Sequence, residues 1–164
     1  MTPIRLIAIA LLSLLPFALL AQGAQVGFGA LQADPDAPVE VTADNLTVNQ
    51  NDGTALFTGN VIVGQGEMRL SAPRVLVVYA EDRSEIARLE ARGGVTLVSG
   101  EEAAEGESAD YDVEAGVIVM TGNVMLTQGG SALTADKMVA DINEGTATMT
   151  GRVKTVLQTS GSTQ

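Results

Sequence analysis

Glycine, one variable residue and valine recur four times along this chain, as Gly59-Asn60-Val61, Gly93-Gly94-Val95, Gly122-Asn123-Val124 and Gly151-Arg152-Val153. The copies stand about 30 residues apart, the signature of stacked supersecondary units. Around each glycine, apolar and polar residues alternate. The slots beside it hold Thr58, Arg92, Thr121 or Thr150 before and Asn60, Gly94, Asn123 or Arg152 after. The slots of opposite parity hold Phe57, Ala91, Met120 or Met149 and then always valine. Such alternation means strands with one apolar and one wet face. A glycine at an apolar-parity position leaves a notch, as at a bulge or a sharp bend.

The same alternation predicts strands at 39–43, 46–49, 55–63, 68–72, 75–79, 86–91, 95–98, 109–113, 117–126, 132–142 and 147–157. Turn-like punctuation separates them, for example Asn51-Asp52-Gly53, Gly64-Gln65-Gly66 and Asn143-Glu144-Gly145. The fold class is therefore all-β: a sandwich, a barrel or an open roll. Residues 81–92 carry good helix formers, but Leu89 and Ala91 share parity with Val95 and Leu97, which favours a strand from Ile86. Residues 100–108 are acidic and read as an exposed loop or edge. A second marker, an alanine before Asp44, Pro73, Asp110 or Asp136, sits near strand ends. Aspartates there most simply take turn hydrogen bonds or solvate an edge.

Residues 1–24 read as a secretory signal peptide: Arg5, an apolar run from Leu6 to Leu20, then small residues. The run would make a helix of about 22 Å against a hydrocarbon core of about 30 Å, short for a permanent anchor. An uncleaved anchor is the alternative. Residues 25–37 read as a loose leader, 38–158 as one β domain and 159–164 as a flexible tail. The expected location is the periplasm. The chain has no cysteine, so no disulfide framework supports the fold.

Nine Lys and Arg against 20 Asp and Glu give a net charge of −11, which argues against nucleic acid as a partner. Histidine is absent too, removing the usual general base and the commonest transition-metal ligand. Asp110 and Asp112 share a strand face and could in principle serve as acid and base, but no pocket signature accompanies them. The reading is of a protein that is not an enzyme, with no catalytic residues, metal site or cofactor. Tyr79 and Tyr111 read as strand-end packing. Arg69, Arg74, Arg83, Arg88 and Arg92 read as surface charge balance, with a phosphate- or carboxylate-attracting rim as the alternative. The stronger signal is an aliphatic, methionine-containing wall. Phe57, Val61, Val63, Val95, Leu97, Ile118, Met120, Val124, Leu126, Met149 and Val153 share one parity. They suit a packed core, and equally an interior that accepts hydrocarbon chains.

Two strings carry a resemblance. Residues 38–44 read Pro-Val-Glu-Val-Thr-Ala-Asp, and residues 57–66 read Phe-Thr-Gly-Asn-Val-Ile-Val-Gly-Gln-Gly. With Tyr111-Asp112-Val113, Met120-Thr121-Gly122-Asn123 and the run from Arg152 to Leu157, the chain resembles the LptA/OstA-like family of lipopolysaccharide-transport bridge proteins. The resemblance implies an open, V-shaped antiparallel β-jellyroll whose apolar cleft holds the acyl chains of lipopolysaccharide. It also implies head-to-tail self-oligomers and pairing with LptC-like and LptD-like jellyroll proteins, joining inner-membrane and outer-membrane complexes. Val39 and Val41 then line the first edge of the cleft, and Leu97 and Val113 its middle. The implied lipid-binding set is Val39, Val41, Phe57, Val61, Val63, Val95, Leu97, Val113, Met120, Val124 and Leu126. An open roll leaves strand edges for oligomer growth, here at Val39 and Val41 and at Val153 and Val156. Alternatives are a membrane-anchored, LptC-like component of the same system, a structural β-repeat protein with a closed core, and a secreted hydrolase.

Overall fold

The computed structural model describes Ala24–Gly27, residues 37–82 and residues 84–157. These residues form eleven strands and no helix. They are β1 (Ala24–Gly27), β2 (Glu40–Thr42), β3 (Asn45–Asn49), β4 (Thr54–Gln65), β5 (Met68–Tyr79), β6 (Ile86–Ser99), β7 (Glu102–Asp112), β8 (Val117–Gln128), β9 (Ser131–Asp141), β10 (Thr146–Thr150) and β11 (Lys154–Val156). All pairings are antiparallel. The sheet runs β1-β10-β9-β8-β7-β6-β5-β4-β2, with β3 also on β4 and β11 also on β9. Among the described residues its two ends do not pair with each other, so the roll is open.

Every long strand pair loses register at one shared level, at Thr58/Val61, Ser71/Arg74, Arg92/Val95, Glu105/Ser108 and Thr121/Val124, and β5 and β6 slip a second time at Val78/Tyr79. The shared breaks line up across the sheet and divide it into two arms. Arm I contains β3, the first halves of β4, β6 and β8, the second halves of β5, β7 and β9, then β10 and β1. Arm II contains β2, the complementary halves and β11.

The glycine repeat makes this bend. Gly59-Asn60, Gly93-Gly94, Gly122-Asn123 and Gly151-Arg152 all have positive φ, between 44° and 94°. Two consecutive left-handed residues add a step that a regular strand cannot hold. At three of the four copies an acid from the adjoining segment fills the notch, and at Gly93 the ring of Pro73 does. Asn60 Nδ2 donates to Asp44 Oδ2 at 2.8 Å, and Asn123 Nδ2 to Glu107 Oε1 at 2.8 Å. Arg152 Nε donates to Asp136 Oδ1 at 2.9 Å, and its Nη2 bonds the same oxygen. Each acid precedes its partner by 16 residues. Asp44 and Asp136 also donate their backbone N–H groups to the carbonyls of Gly59 and Gly151, both at 2.9 Å.

Several expectations are corrected. The acid that serves Gly122 is Glu107, not Asp110, which lies further along β7 and pairs with Arg92 at 2.7 Å. Residues 100–108 are not a loop: β7 begins at Glu102. Small residues are admitted there because the neighbours are large, as where Ala104 lies between Leu97 and Leu126. The expected strands on either side of Pro73 and of Gly93 are single bent strands, β5 and β6. The expected strand at 147–157 is instead broken into β10 and β11, because the left-handed step at Gly151-Arg152 falls at the sheet's edge. The last residue of the expected signal peptide and the first three of the expected loose leader form strand β1, Ala24–Gly27, held by a ladder to β10. Apart from Ala24, the expected signal peptide at 1–24 and the expected tail at 159–164 lie outside the described residues.

Candidate functional site: the apolar trough between the arms

Inward-facing side chains form continuous cross-strand rows. Beside the bend, arm I carries Leu46, Phe57, Val75, Ala91, Ala109, Met120, Met138 and Met149 in register. The next row reads Val48, Ala55, Val77, Leu89, Tyr111, Ile118, Ala140 and Ala147. Arm II answers with Val41, Val63, Leu70, Leu97, Ala104, Leu126, Leu133 and Thr155. From Ala55 to Met149 these residues are buried, apart from the half-buried Phe57, and form one core. Small residues stand beside large ones at several points, as in Val75–Ala91 and Leu97–Ala104–Leu126. Four methionines, Met68, Met120, Met138 and Met149, lie inside it. Their flexible thioethers fit irregular apolar partners.

At the tip of arm II the inward row turns polar. Ser99 stands opposite Glu102, Glu102 opposite Gln128 and Gln128 opposite Ser131, while Gln65 holds the corresponding place on β4. Glu102 is only 4% exposed. Gln128 Nε2 donates to Glu102 Oε1, and Glu102 Oε2 has no hydrogen-bond partner among the described residues. Across the interior, Tyr111 on arm I donates its O–H to Gln65 Oε1 at 2.7 Å, and Gln65 Nε2 donates to Ala37 O at 3.3 Å. Burial, with a smaller contribution from the negative charge of Asp112, pushes the Tyr111 phenol up to about 12.

Beside this bridge the two arms part. A cleft of about 720 Å³ opens between them, lined by Ala37, Pro38, Val39 and Gln65 on one side and Ala80, Ile86, Ala87 and Val113 on the other. The sequence-derived lining set therefore divides. Val41, Val63, Leu97 and Leu126 stand in one row of arm II. Val61, Val95 and Val124 are buried beside the bend, as are Phe57 and Met120 in arm I, Phe57 only partly. Val39 and Val113 lie at the mouth. The edge residues separate too: Val41 is in β2 and Val156 in β11, whereas Val39 precedes β2 and Val153 lies between β10 and β11.

Sequence reasoning missed Leu70, Val75, Val77, Leu89, Leu133 and Met138 as interior residues, though each shares its strand's apolar parity. It also took Tyr111 for strand-end packing, whereas its hydroxyl ties the arms together. Three of the arginines are engaged locally: Arg88 bonds Glu90 at 2.8 Å, Arg92 bonds Asp110, and Arg69 donates to the carbonyls of Gly66 and Met68, while Arg74 is exposed. Arg83 lies outside the described residues. Asp112 is not a partner for Asp110 but caps the following turn, accepting from Ala115 N at 2.9 Å. Among the described residues no three His, Cys, Asp or Glu side chains are grouped to hold a metal ion, and no helix is long and apolar enough to cross a membrane.

This geometry coincides with known proteins. The crystal structure of LptH from Pseudomonas aeruginosa, described as the LptA-homologous periplasmic component of a lipopolysaccharide transport device, matches the fold with a TM-score of 0.70. The match covers 77% of this chain and 99% of that one at 19% identity. An uncharacterized protein of Rhizobium meliloti (strain 1021) is 33% identical over 117 residues, 67% of this chain and 63% of that protein. The lipopolysaccharide export system protein LptA of Escherichia coli (strain K12) is 35% identical over 48 residues, 29% of this chain and 26% of that protein. The chain thus spans 63% and 26% of the lengths of these two relatives. The family model for LptA and the LptD N-terminal domain, LPS transport proteins, matches residues 40–156, and the chain belongs to that family.

Proposed function

We propose that this protein is a periplasmic lipopolysaccharide carrier, not an enzyme, and that the acyl chains lie in the trough between its arms. The observation that carries the reading is the run of apolar rows across the whole sheet, ending at uncovered apolar residues. Leu46 and Val48 extend the arm I rows yet are 55% and 58% exposed. Each methylene moved from water to such a wall gains about 0.8 kcal/mol, so a multi-chain lipid needs a long trough of this kind. The mouth beside Val39 and Val113 gives acyl chains a way in, and the polar tip of arm II suits sugar hydroxyls and amides. No nucleotide-binding motif is present in the sequence, so energy for transport comes from partner proteins.

The same uncovered ends support a bridging role. One end of the sheet presents β2 and β3, and the other presents β11. Head-to-tail addition of another copy, or of an LptC-like or LptD-like jellyroll, would continue both arms and the trough. The test is site-specific photo-crosslinking in cells. Probes at Val41, Leu97 and Val113 capture lipopolysaccharide, while probes at Asn60 and Asn123, exposed on the outer side of the bend, do not. Equal labelling of both sets rejects the trough.

A further inference from the structure

The arm I edge at the C-terminal end of the sheet is already occupied. Strand β10 has β9 on one side and β1 on the other, with Ala24 opposite Met149, Gln25 opposite Thr148, Val26 opposite Ala147 and Gly27 opposite Thr146. The arm II edge at the same end differs: among the described residues β11 pairs only with β9.

Strand direction gives β1 its meaning. In arm I, β10 runs towards the bend and β1 runs away from it, since Ala24 stands opposite Met149 beside the bend. At the opposite edge of the arm, β3 also runs away from the bend: Asn45 stands opposite Thr58 and Asn49 opposite Thr54. A second copy added in line would bring its β3 to β10 in the same sense as β1. Its β2 would meet β11, again antiparallel, because β2 and β11 run oppositely along arm II. The rows agree as well. Leu46 belongs to the row that ends at Met149, and Val48 to the row that ends at Ala147; Ala24 and Val26 hold those positions now.

We infer that β1 is an intramolecular cap on β10, imitating the β3 strand of a second copy, and that stacking requires the incoming β3 to displace it. The incoming strand is the better fit. It offers five residues against four and two exposed apolar side chains, Leu46 and Val48, where β1 offers an alanine and a valine followed by glycine. The free β11 edge is then the first point of contact, and exchange at β10 follows. A single copy with its seat filled is protected from unselective edge pairing. The inference rests on the self-stacking part of the proposed function.

The chain has no cysteine, so introduced pairs report cleanly. Three forms of the chain as it matures in the cell are compared by sedimentation over a concentration series. They are the parent, Val26→Pro, and the oxidised double variant Val26→Cys with Ala147→Cys. The disulfide forms within one copy and weakens association at least about tenfold, reversed by reduction, while Val26→Pro, which cannot complete the ladder, strengthens it about tenfold. Failure of the disulfide to form within one copy, or any order other than locked weakest and Val26→Pro tightest in a parent that stacks, overturns the cap and leaves stacking standing. If neither the parent nor Val26→Pro associates, the cap and self-stacking fall together.

Discussion

Tyr111 donates its hydroxyl hydrogen to Gln65 Oε1 at 2.7 Å, joining β7 in arm I to β4 in arm II across the interior of the roll. Gln65 also lines the mouth of the cleft. The pair acts as a latch, tying the arms beside the cleft that Val39 and Val113 line, which in the proposed function is the way in for acyl chains.

Replacing Tyr111 with phenylalanine leaves Gln65 Oε1 buried without its donor. The expected loss is about 1–2 kcal/mol in chemical denaturation, with faster lipid loading as the arms loosen. The phenol's ordinary value is 10.0 and the fold raises it to about 12. A raised value means that the neutral form is favoured by the fold. Its stabilisation is fully present below pH 10 and is lost as pH rises through about 12. The parent therefore loses stability in that window relative to Tyr111→Phe; parallel pH curves would remove the latch.

The bend is tested at two glycines. A Cβ on Gly122, at φ +83°, would stand 2.6 Å from Glu107 Cδ, whereas one on Gly53, at φ +66°, would meet nothing within 4 Å. Gly53→Ala therefore bears only the left-handed cost of about 1 kcal/mol. Gly122→Ala adds a clash and the loss of the Glu107–Asn123 geometry, for at least about 2 kcal/mol. Equal thermal shifts would mean that the acid in the notch does not matter.

Arg152 takes the slot that asparagine holds in the first and third copies of the repeat. It holds φ +44° and pairs with Asp136, whose carboxyl the guanidinium holds below its ordinary value. Arg152→Ala loses the pair and keeps the strained backbone; Arg152→Gly loses the pair and relieves the strain. The glycine variant is thus the more stable of the two by about 1 kcal/mol. A lowered carboxyl value makes the pair stabilising at neutral pH, with the contribution lost as pH falls below the ordinary carboxylate range and weakened by salt.

The bend and its repeat were legible because glycine at an apolar-parity position is incompatible with an ordinary packed strand. Val63, Leu97 and Leu126 were legible by the same parity. The first half of β7 was not, although its second half was: Glu102, Ala103, Ala104, Glu105, Gly106 and Glu107 have neither the bulk nor the regular apolar alternation that marks a strand. Their burial is decided by neighbours. A Cβ on Gly106 would lie 3.4 Å from Met120 Cε, so the methionine of β8 fills the space that glycine leaves. Nor does a single sequence show that Tyr111 and Gln65, 46 residues apart, meet across two arms.

Leu97 is fully buried in the central row of arm II, between Leu70 and Ala104. Leu97→Ala costs about 2–5 kcal/mol and leaves the wall apolar. Leu97→Asp places an unpaired charge among apolar groups and abolishes lipopolysaccharide loading, while Asn123→Asp, on the outer surface, leaves loading intact. The measurement is lipid co-purifying with folded protein, checked by circular dichroism. Loading by the Leu97→Asp variant at parental level would move the lipid elsewhere.

The direction of assembly is decided by which edges meet. Val41 lies on β2 and Val156 on β11, at opposite ends of arm II, and Val156 is 54% exposed. A heterologous contact joins unlike edges and propagates; an isologous one joins like edges and stops at a dimer. Copies carrying Val41→Cys are mixed with copies carrying Val156→Cys, and the absence of native cysteine makes every disulfide diagnostic. The mixture cross-links strongly and each variant alone does not. The double variant forms ladders of increasing mass in a concentration-dependent way. Lys154 and Arg152 beside the β11 edge keep that growth moderate, since edge charges oppose unselective pairing, and salt lengthens the ladder. Dimers from Val156→Cys alone, with none from the mixture, would indicate a tail-to-tail pair. In that arrangement the apolar rows would not continue from one copy into the next, and bridging would need a partner of a different kind.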